Sequence, residues 1–405
     1  MTIHSAFDYI PDLLQSNDSK IFLVVLDGLG GLPSRPGGMT ELETSHTPTL
    51  NRLAAEGMTG LHVPVGAGLT PGSGPGHLGV FGYDPLRFKI GRGALAAAGI
   101  DFDLQSGDVA ARGNFCTVDA HGTVTDRRAG RIDTDENHRH CERLRQIQID
   151  GIEVFVEPIK EHRFLLVLRG EGLSDAVADT DPQETRAKPL EPEALVSEAD
   201  ATARGVRQFV EAAQEILRDE SHANMVLFRG FARKPDWPSF GEMFGLHAVA
   251  LAHYPMYRGL ARLLGMQVAS ETATLEDSIA FVRDNLSAFD FFFVHVKTTD
   301  SAGEDGDFEA KVRAIEDADG AVSALREMNP DVLLVTGDHS TPAIMRAHSW
   351  HPVPALLWSK SCRPDTVTEF GDRACLAGAM GPRFPATDLM PLALAHAGRL
   401  KKYGA

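Results

Sequence analysis

Three short apolar runs, far apart in the chain, each end in residues that bind cations or move protons. Ile21 to Leu26 runs into Asp27-Gly-Leu-Gly-Gly, Phe291 to Val296 into Lys297-Thr-Thr-Asp300, and Val332 to Val335 into Thr336-Gly-Asp338-His339. Such runs, with no polar alternation, predict strands covered on both faces, the condition of strands in a parallel sheet. Helical patterns lie between them. Thr47-Pro48 before Leu50, Leu53 and Ala54 predicts an N-cap and a first-turn proline, with Gly57 as the stop. Phe308, Val312, Ile315, Val322 and Leu325 keep helical spacing after Asp307, an expected N-cap. Alternating strands and helices predict an α/β domain. In open α/β sheets ligands gather beyond the carboxyl ends of the strands, where Asp27, Asp300, Asp338 and His339 are expected.

Length and composition bound what this domain can serve. The chain has 405 residues, ample for a large core and for more than one domain. Lys and Arg number 39 against 56 Asp and Glu, a net charge of −17. That balance argues against nucleic acid and against an anionic membrane surface as partners. The four cysteines are scattered without CxxC spacing, which predicts free thiols and a reducing, cytoplasmic setting. Met1 to Lys20 has no apolar core of a leader, and no run of about 18 apolar residues occurs, so no membrane span is expected.

The middle of the chain reads differently. Residues 106–235 hold short strand patterns, a basic stretch near Arg127, a polar loop from Asp179, and one amphipathic helix marked by Val206, Phe209, Val210, Ala213, Ile216 and Leu217. They are expected to form a smaller inserted domain, with 1–105 and 236–405 composing the larger one.

Four constellations carry chemistry. Asp27, Asp300, Asp338, His339 and His348 are oxygen and imidazole donors of the kind that hold Mn²⁺ or Zn²⁺. Singly, a strand-end Asp is better explained as a helix cap; together at one sheet edge they favour metal. Thr70-Pro-Gly-Ser73-Gly-Pro-Gly-His77 can expose a serine at a helix start, where backbone N–H groups favour an anion, or can be a plain turn. It lacks the lysine of a Walker A loop. Arg112-Gly-Asn114 and Asp126-Arg127-Arg128-Ala-Gly-Arg131 bring forks suited to carboxylate and phosphate into an acidic chain. Arg163 to Arg169, followed by a glycine turn and Asp175, reads as a strand with an arginine at each end; substrate contact and strand-end solvation fit it equally.

As a set, these stretches resemble the cofactor-independent phosphoglycerate mutases of the archaeal type, in the alkaline phosphatase superfamily. The resemblance rests on Val25-Leu-Asp27-Gly, Pro71-Gly-Ser73 with His77-Leu, Gly82-Tyr-Asp-Pro, Arg112-Gly-Asn-Phe, Asp126-Arg-Arg-Ala-Gly-Arg131, Leu168-Arg-Gly-Glu-Gly-Leu-Ser-Asp-Ala-Val, Asp179-Thr-Asp-Pro, Thr336-Gly-Asp-His-Ser-Thr-Pro, His348-Ser, Pro352-Val-Pro and Lys402-Tyr-Gly-Ala. It implies an α/β fold, an alkaline-phosphatase-like, doubly wound and mostly parallel sheet with an inserted smaller α/β cap. It implies interconversion of 2-phosphoglycerate and 3-phosphoglycerate through phosphoserine, and two divalent ions, Mn²⁺ or Mg²⁺ first and Co²⁺ or Zn²⁺ as alternatives. Ser73 then matches the nucleophile. Asp27, Asp338 and His339 join Ser73 around one ion, and Asp300, position 304 and His348 hold the other. Arg112, Asn114, Arg127, Arg128, Arg131, Arg163, Arg169 and Asp175 are the implied substrate contacts, and the inserted domain the lid. Asp126 is the acid–base candidate and Arg258 a contact for the transferred phosphate. The chain departs from the family pattern at Glu304, where His is usual, at Gly74, and at Trp350-His351. Those departures keep open a metal-dependent phosphatase or phosphotransferase acting on another small phosphoester. A binding relic without turnover is the remaining alternative, weakened by retention of the ligand set.

Overall fold

The computed structural model describes residues 6–269 and 272–404. Met1 to Ser5 of the stretch read for a leader, and Ala405 of the C-terminal motif, lie outside them. The strands, in chain order, are β1 (Ile21–Leu26), β2 (Met58–Val63), β3 (Val109–Val118), β4 (Val124–Asp126), β5 (Glu153–Lys160), β6 (Arg163–Arg169), β7 (Met225–Ala232), β8 (Ala248–Leu251), β9 (Gln267–Val268), β10 (Phe291–Val296), β11 (Val332–Thr336), β12 (Val353–Ser359) and β13 (Gly381–Pro385). They form an eight-stranded and a five-stranded sheet.

The larger unit takes the residues up to Lys89 and those from Trp237 onward. Its sheet runs β13-β2-β12-β11-β1-β10-β8-β9. The three apolar runs are its central neighbours: β1 pairs in parallel with β10 on one side and β11 on the other. Every residue of β1 is fully buried, as expected for a strand covered on both faces. Antiparallel β12 interrupts the parallel order between β11 and β2. On one face Leu50 and Leu53 from the helix Pro48–Glu56, and Ile315, Val322 and Leu325 from the helix Phe308–Glu327, pack on Phe22, Val24 and Leu26. Asp307 caps the second of these helices, its side chain accepting from the Ala310 N–H. Thr47, expected to cap the first, makes no side-chain cap bond. Asp319 takes that role from the neighbouring helix, accepting the N–H groups of Thr49 and Leu50 at 3.1 and 2.7 Å. A carboxylate there also complements the positive end of the helix dipole.

The smaller unit is residues 90–236. Its sheet is antiparallel, in the order β4-β3-β6-β5 with β7 on the other side of β3. The amphipathic helix is longer than its apolar pattern, Asp200–Leu217, and buries Val206, Phe209, Ala213 and Leu217 among Phe115, Phe164 and Phe228. The unit begins at 90 rather than at 106 because of an alanine-rich helix, Arg92–Gly99. Ala94 and Ala97 pack against Ala110, Leu165, Val167 and Ala232 on the opposite face of the sheet. Small side chains carry a weak apolar signal, which hid this face in the sequence.

Gly113 in β3 sits against the Phe164 ring, and a Cβ there would meet it at 2.3 Å. Gly113→Ala is therefore expected to overpack this core and destabilise it by about 1–3 kcal/mol. A lower melting temperature with unchanged secondary structure is the expected observation.

Candidate active site

The loops leaving β1 and β11 and the helix Thr298–Asp305 that follows β10 lie side by side because their strands do. They bring Asp27, Asp300, Asp338 and His339 together, all fully buried. Ser73 arrives from a different element. It opens the helix Ser73–Val80, whose N-cap is Gly72. Gly76 lets this helix lie against the β11 loop, since a Cβ there would stand 2.4 Å from the Asp338 carbonyl oxygen.

Four side chains converge on one point. His339 Nε2 lies 3.1 Å from Asp338 Oδ2, 3.3 Å from Asp27 Oδ1 and 3.3 Å from Ser73 Oγ. The proton on His339 can be placed. Thr341 Oγ1 donates to Asp300 Oδ1 at 2.6 Å, so it accepts from His339 Nδ1 at 3.0 Å. The Nδ1 position then carries the hydrogen, and Nε2 keeps a lone pair aimed at the two carboxylates. Asp27 Oδ1 and Asp338 Oδ2 are buried with no hydrogen-bond donor. A lone pair facing two donor-less carboxylate oxygens is a set that a divalent cation satisfies.

A second group shares the wall. Asp300 Oδ1 is 3.6 Å from His348 Nε2, and His348 Nδ1 donates to the Pro71 carbonyl at 3.0 Å. In the neutral ring that leaves Nε2 free as a ligand. The His339 and His348 rings stack at 3.6 Å. Glu304 Oε1 stands 3.7 Å from His348 Nε2, on an exposed side chain. Asp300, His339 and His348, and Asp27, Asp338 and His339, are each close enough to hold an ion.

The electrostatics fit that reading. Burial works to raise the Asp27 carboxyl, but His295, His339 and Lys297 outweigh it and hold it well below the usual carboxylate range. Asp338 goes the other way: burial, then the charges of Asp27 and Asp300, push it well above that range. Burial lowers His339, and draws His77 and His295 down to about 4. The imidazoles are thus neutral around a crowded set of acids.

Several residues of the site were given no role from the sequence. Lys297 reaches Asp27 Oδ2 at 3.1 Å and also donates to Asp300. Its place three residues before Asp300, at the start of the helix Thr298–Asp305, is the one clue. Tyr257 donates its hydroxyl to Asp27 Oδ2, and its ring lies 3.9 Å from that of His295. His77 Nδ1 donates to the Ser73 carbonyl at 2.9 Å and lies 2.9 Å from Asp338 Oδ2. Arg258 adjoins Tyr257 on the helix Pro255–Leu263, half-buried, and it is Tyr257 that reaches a carboxylate of the site.

The predicted anion contacts belong to the smaller unit. Arg112 and Asn114 share one face of β3, in register with Arg229 of β7 and Arg163 of β6. Burial lowers His162 to about 4, and the charges of Arg163, Arg128 and Arg112 reinforce it. Others are engaged inside the unit. Arg127 forks onto Asp181 at 3.0 and 2.7 Å, and Arg169 onto Asp108 at 2.8 and 2.8 Å. Asp126 accepts the N–H groups of Arg128 and Gly130, and Asp175 that of Arg233. Arg131 is exposed. Arg229, 3.7 Å from Asp179 and 3.9 Å from Asp181, is a further arginine of this sheet that the sequence reading missed.

Comparison with known proteins decides the family. A model of the 2,3-bisphosphoglycerate-independent phosphoglycerate mutases matches residues 54–223. A probable mutase of this kind from Thermus thermophilus is 50% identical over 404 residues, 98% of this chain and 99% of its own. The chain belongs to the 2,3-bisphosphoglycerate-independent phosphoglycerate mutases. A probable mutase from Aquifex aeolicus is also 50% identical, over 98% of this chain and 100% of its own. Among solved structures, the cofactor-independent phosphoglycerate mutase of Thermoplasma acidophilum aligns with a TM-score of 0.72 and 29% identity, over 94% of this chain and 100% of that one. A Pyrococcus horikoshii protein aligns at 0.82 and 27%, over 96% and 99%. Among the described residues, no helix is long and apolar enough to cross a membrane.

Proposed function

We propose that the chain is an isomerase that interconverts 2-phosphoglycerate and 3-phosphoglycerate without bisphosphoglycerate, through a phosphoserine at Ser73. The observation that carries this is the convergence of Ser73 Oγ, Asp27 Oδ1 and Asp338 Oδ2 on His339 Nε2. In this reading Asp27, Asp338, His339 and Ser73 would hold one divalent ion, and Asp300, His348 and Glu304 a second. Bound divalent cations would lower the pKa of a ligated hydroxyl and offset charge on the attacking and leaving oxygens. The Ser73 hydroxyl gives up its proton, its Oγ forms the bond to phosphorus as the bond to the glycerate oxygen breaks, and the released alkoxide takes a proton. In the return step the other glycerate hydroxyl gives up its proton, attacks phosphorus, and restores the Ser73 hydroxyl. Asp126 is the proposed acid–base group. Arg112, Asn114, Arg128 and Arg163 are the proposed grip on carboxylate and phosphate, for which a guanidinium fork is suited. Arg127, Arg131, Arg169 and Asp175 are proposed as further substrate contacts, and Arg258 as a contact for the transferred phosphate.

The test is a coupled assay in both directions without bisphosphoglycerate, repeated with Mn²⁺, Mg²⁺, Co²⁺ and Zn²⁺. Isomer formation that EDTA abolishes is expected. Release of inorganic phosphate without isomer would instead identify a phosphatase.

Glu304 supplies a hard oxygen, which suits Mn²⁺ or Mg²⁺ better than a softer ion. Glu304→His is therefore expected to move the activity ratio several-fold towards Zn²⁺ and Co²⁺. The same metal series reads it out.

A further inference from the structure

We infer that Lys311 is a positioning residue for the cation centre, its buried ammonium tying the loop behind Asp27 to the loop behind His339. The inference rests on the cation-binding reading above and deepens it. Lys311 lies on the helix Phe308–Glu327 and is fully buried. Its Nζ donates to the carbonyls of Gly28 at 2.8 Å, Gly30 at 3.0 Å and Thr341 at 2.8 Å. An ammonium has three N–H donors, so each is used; a neutral amine has only two.

The three carbonyls belong to the two loops that matter. Gly28 follows Asp27 directly, and its own N–H donates to Asp338 Oδ1 at 3.2 Å. Thr341 stands two residues beyond His339, and its hydroxyl links His339 Nδ1 to Asp300 Oδ1. One ammonium thus fixes the backbone of a residue that orients a donor in each ligand group. Glu41, also fully buried, grips the same two loops, accepting the N–H of Leu32 at 3.1 Å and of Ala343 at 2.7 Å. An apolar side chain of the same length would leave these three buried carbonyls without this donor. A charged lysine is instead what three converging carbonyls require. It acts by the logic of outer-shell partners, which fix ligand orientation and typically change metal affinity 10- to 100-fold when lost.

The experiment is Mn²⁺ titration calorimetry on the full chain after EDTA treatment, with thermal unfolding in EDTA alongside. Lys311→Met is compared with Asp319→Asn, which weakens the same helix at its contact with Thr49 and Leu50, away from the loops. Both variants are expected to melt lower than wild type. Only Lys311→Met is expected to bind Mn²⁺ at least tenfold more weakly. Wild-type affinity in Lys311→Met, or an equal loss in Asp319→Asn, overturns the inference. If Lys311→Met does not fold, Lys311→Gln is read in the same way. Failure of both where Asp319→Asn folds assigns Lys311 to stability alone and overturns the positioning role. Wild-type protein that takes up no Mn²⁺ overturns the cation centre itself, a result distinct from the others.

Discussion

Ser73→Ala is expected to lower mutase turnover by at least about 10⁴-fold, since loss of a nucleophile leaves only binding and electrostatics to act. The change isolates chemistry from folding. The Ser73 side chain makes no capping bond to its helix, and Gly72 occupies the N-cap. Alanine is a good helix former, so stability should stay within about 0.5 kcal/mol of wild type. Asp27, Asp338 and His339 keep their places, so Mn²⁺ uptake should persist. Steady-state kinetics in both directions, with mass spectrometry for a phosphorylated Ser73 in wild type, checks each part. Turnover near the wild-type rate would remove Ser73 from the mechanism.

Asp338→Asn is expected to cost about 10³-fold or more in activity and to change stability in the opposite direction. Asp338 shares a buried site with Asp27 and Asp300, and both raise its carboxyl through their charge after burial itself. An amide keeps the volume, and its oxygen can still accept the Gly28 N–H. It removes a carboxyl whose charged form is disfavoured by burial and by its neighbours, so the EDTA-treated variant should melt higher than EDTA-treated wild type. Mn²⁺ should then stabilise wild type, by about 2.7 kcal/mol at 100 times its Kd, and stabilise the variant far less. A stability gain paired with lost function marks a site built for a ligand rather than for the fold. Equal melting of both proteins in EDTA would sink this expectation.

The acidic cluster was legible because it is local. Asp27, Asp300, Asp338 and His339 each follow an apolar run, and a buried strand ending in an acid is readable from a dozen residues. Ser73 was not legible from its glycines, which fit a plain turn as well, and was singled out only by the family resemblance. The partners that orient these groups were not legible. Tyr257 and His295 sit in ordinary helix and strand patterns, His77 and Thr341 lie inside quoted motifs without a role of their own there, and what all four do exists only once distant segments converge. Tyr257 shows the limit: adjacent residues on a helix point about 100° apart, and no single-sequence signal says that this one faces a carboxylate. Arg127 and Arg169 show another, since their bonds to Asp181 and Asp108 depend on strands whose pairing is not local. The antiparallel order of the inserted sheet was hidden for the same reason.

The placement of β1 between β10 and β11 also sets the order of events during synthesis. Leu26 pairs with Val296, and Val25 with Thr336, so the first strand waits for partners made late. At a ribosomal rate of about 5–20 residues per second, that wait lasts roughly 10–60 s. Asp27 is therefore translated long before the residues that share its task. The smaller unit, made entirely within the interval, can fold first from its own contiguous chain. The acidic centre can form only once Thr336 to His339 have been made, after the whole chain of the smaller unit.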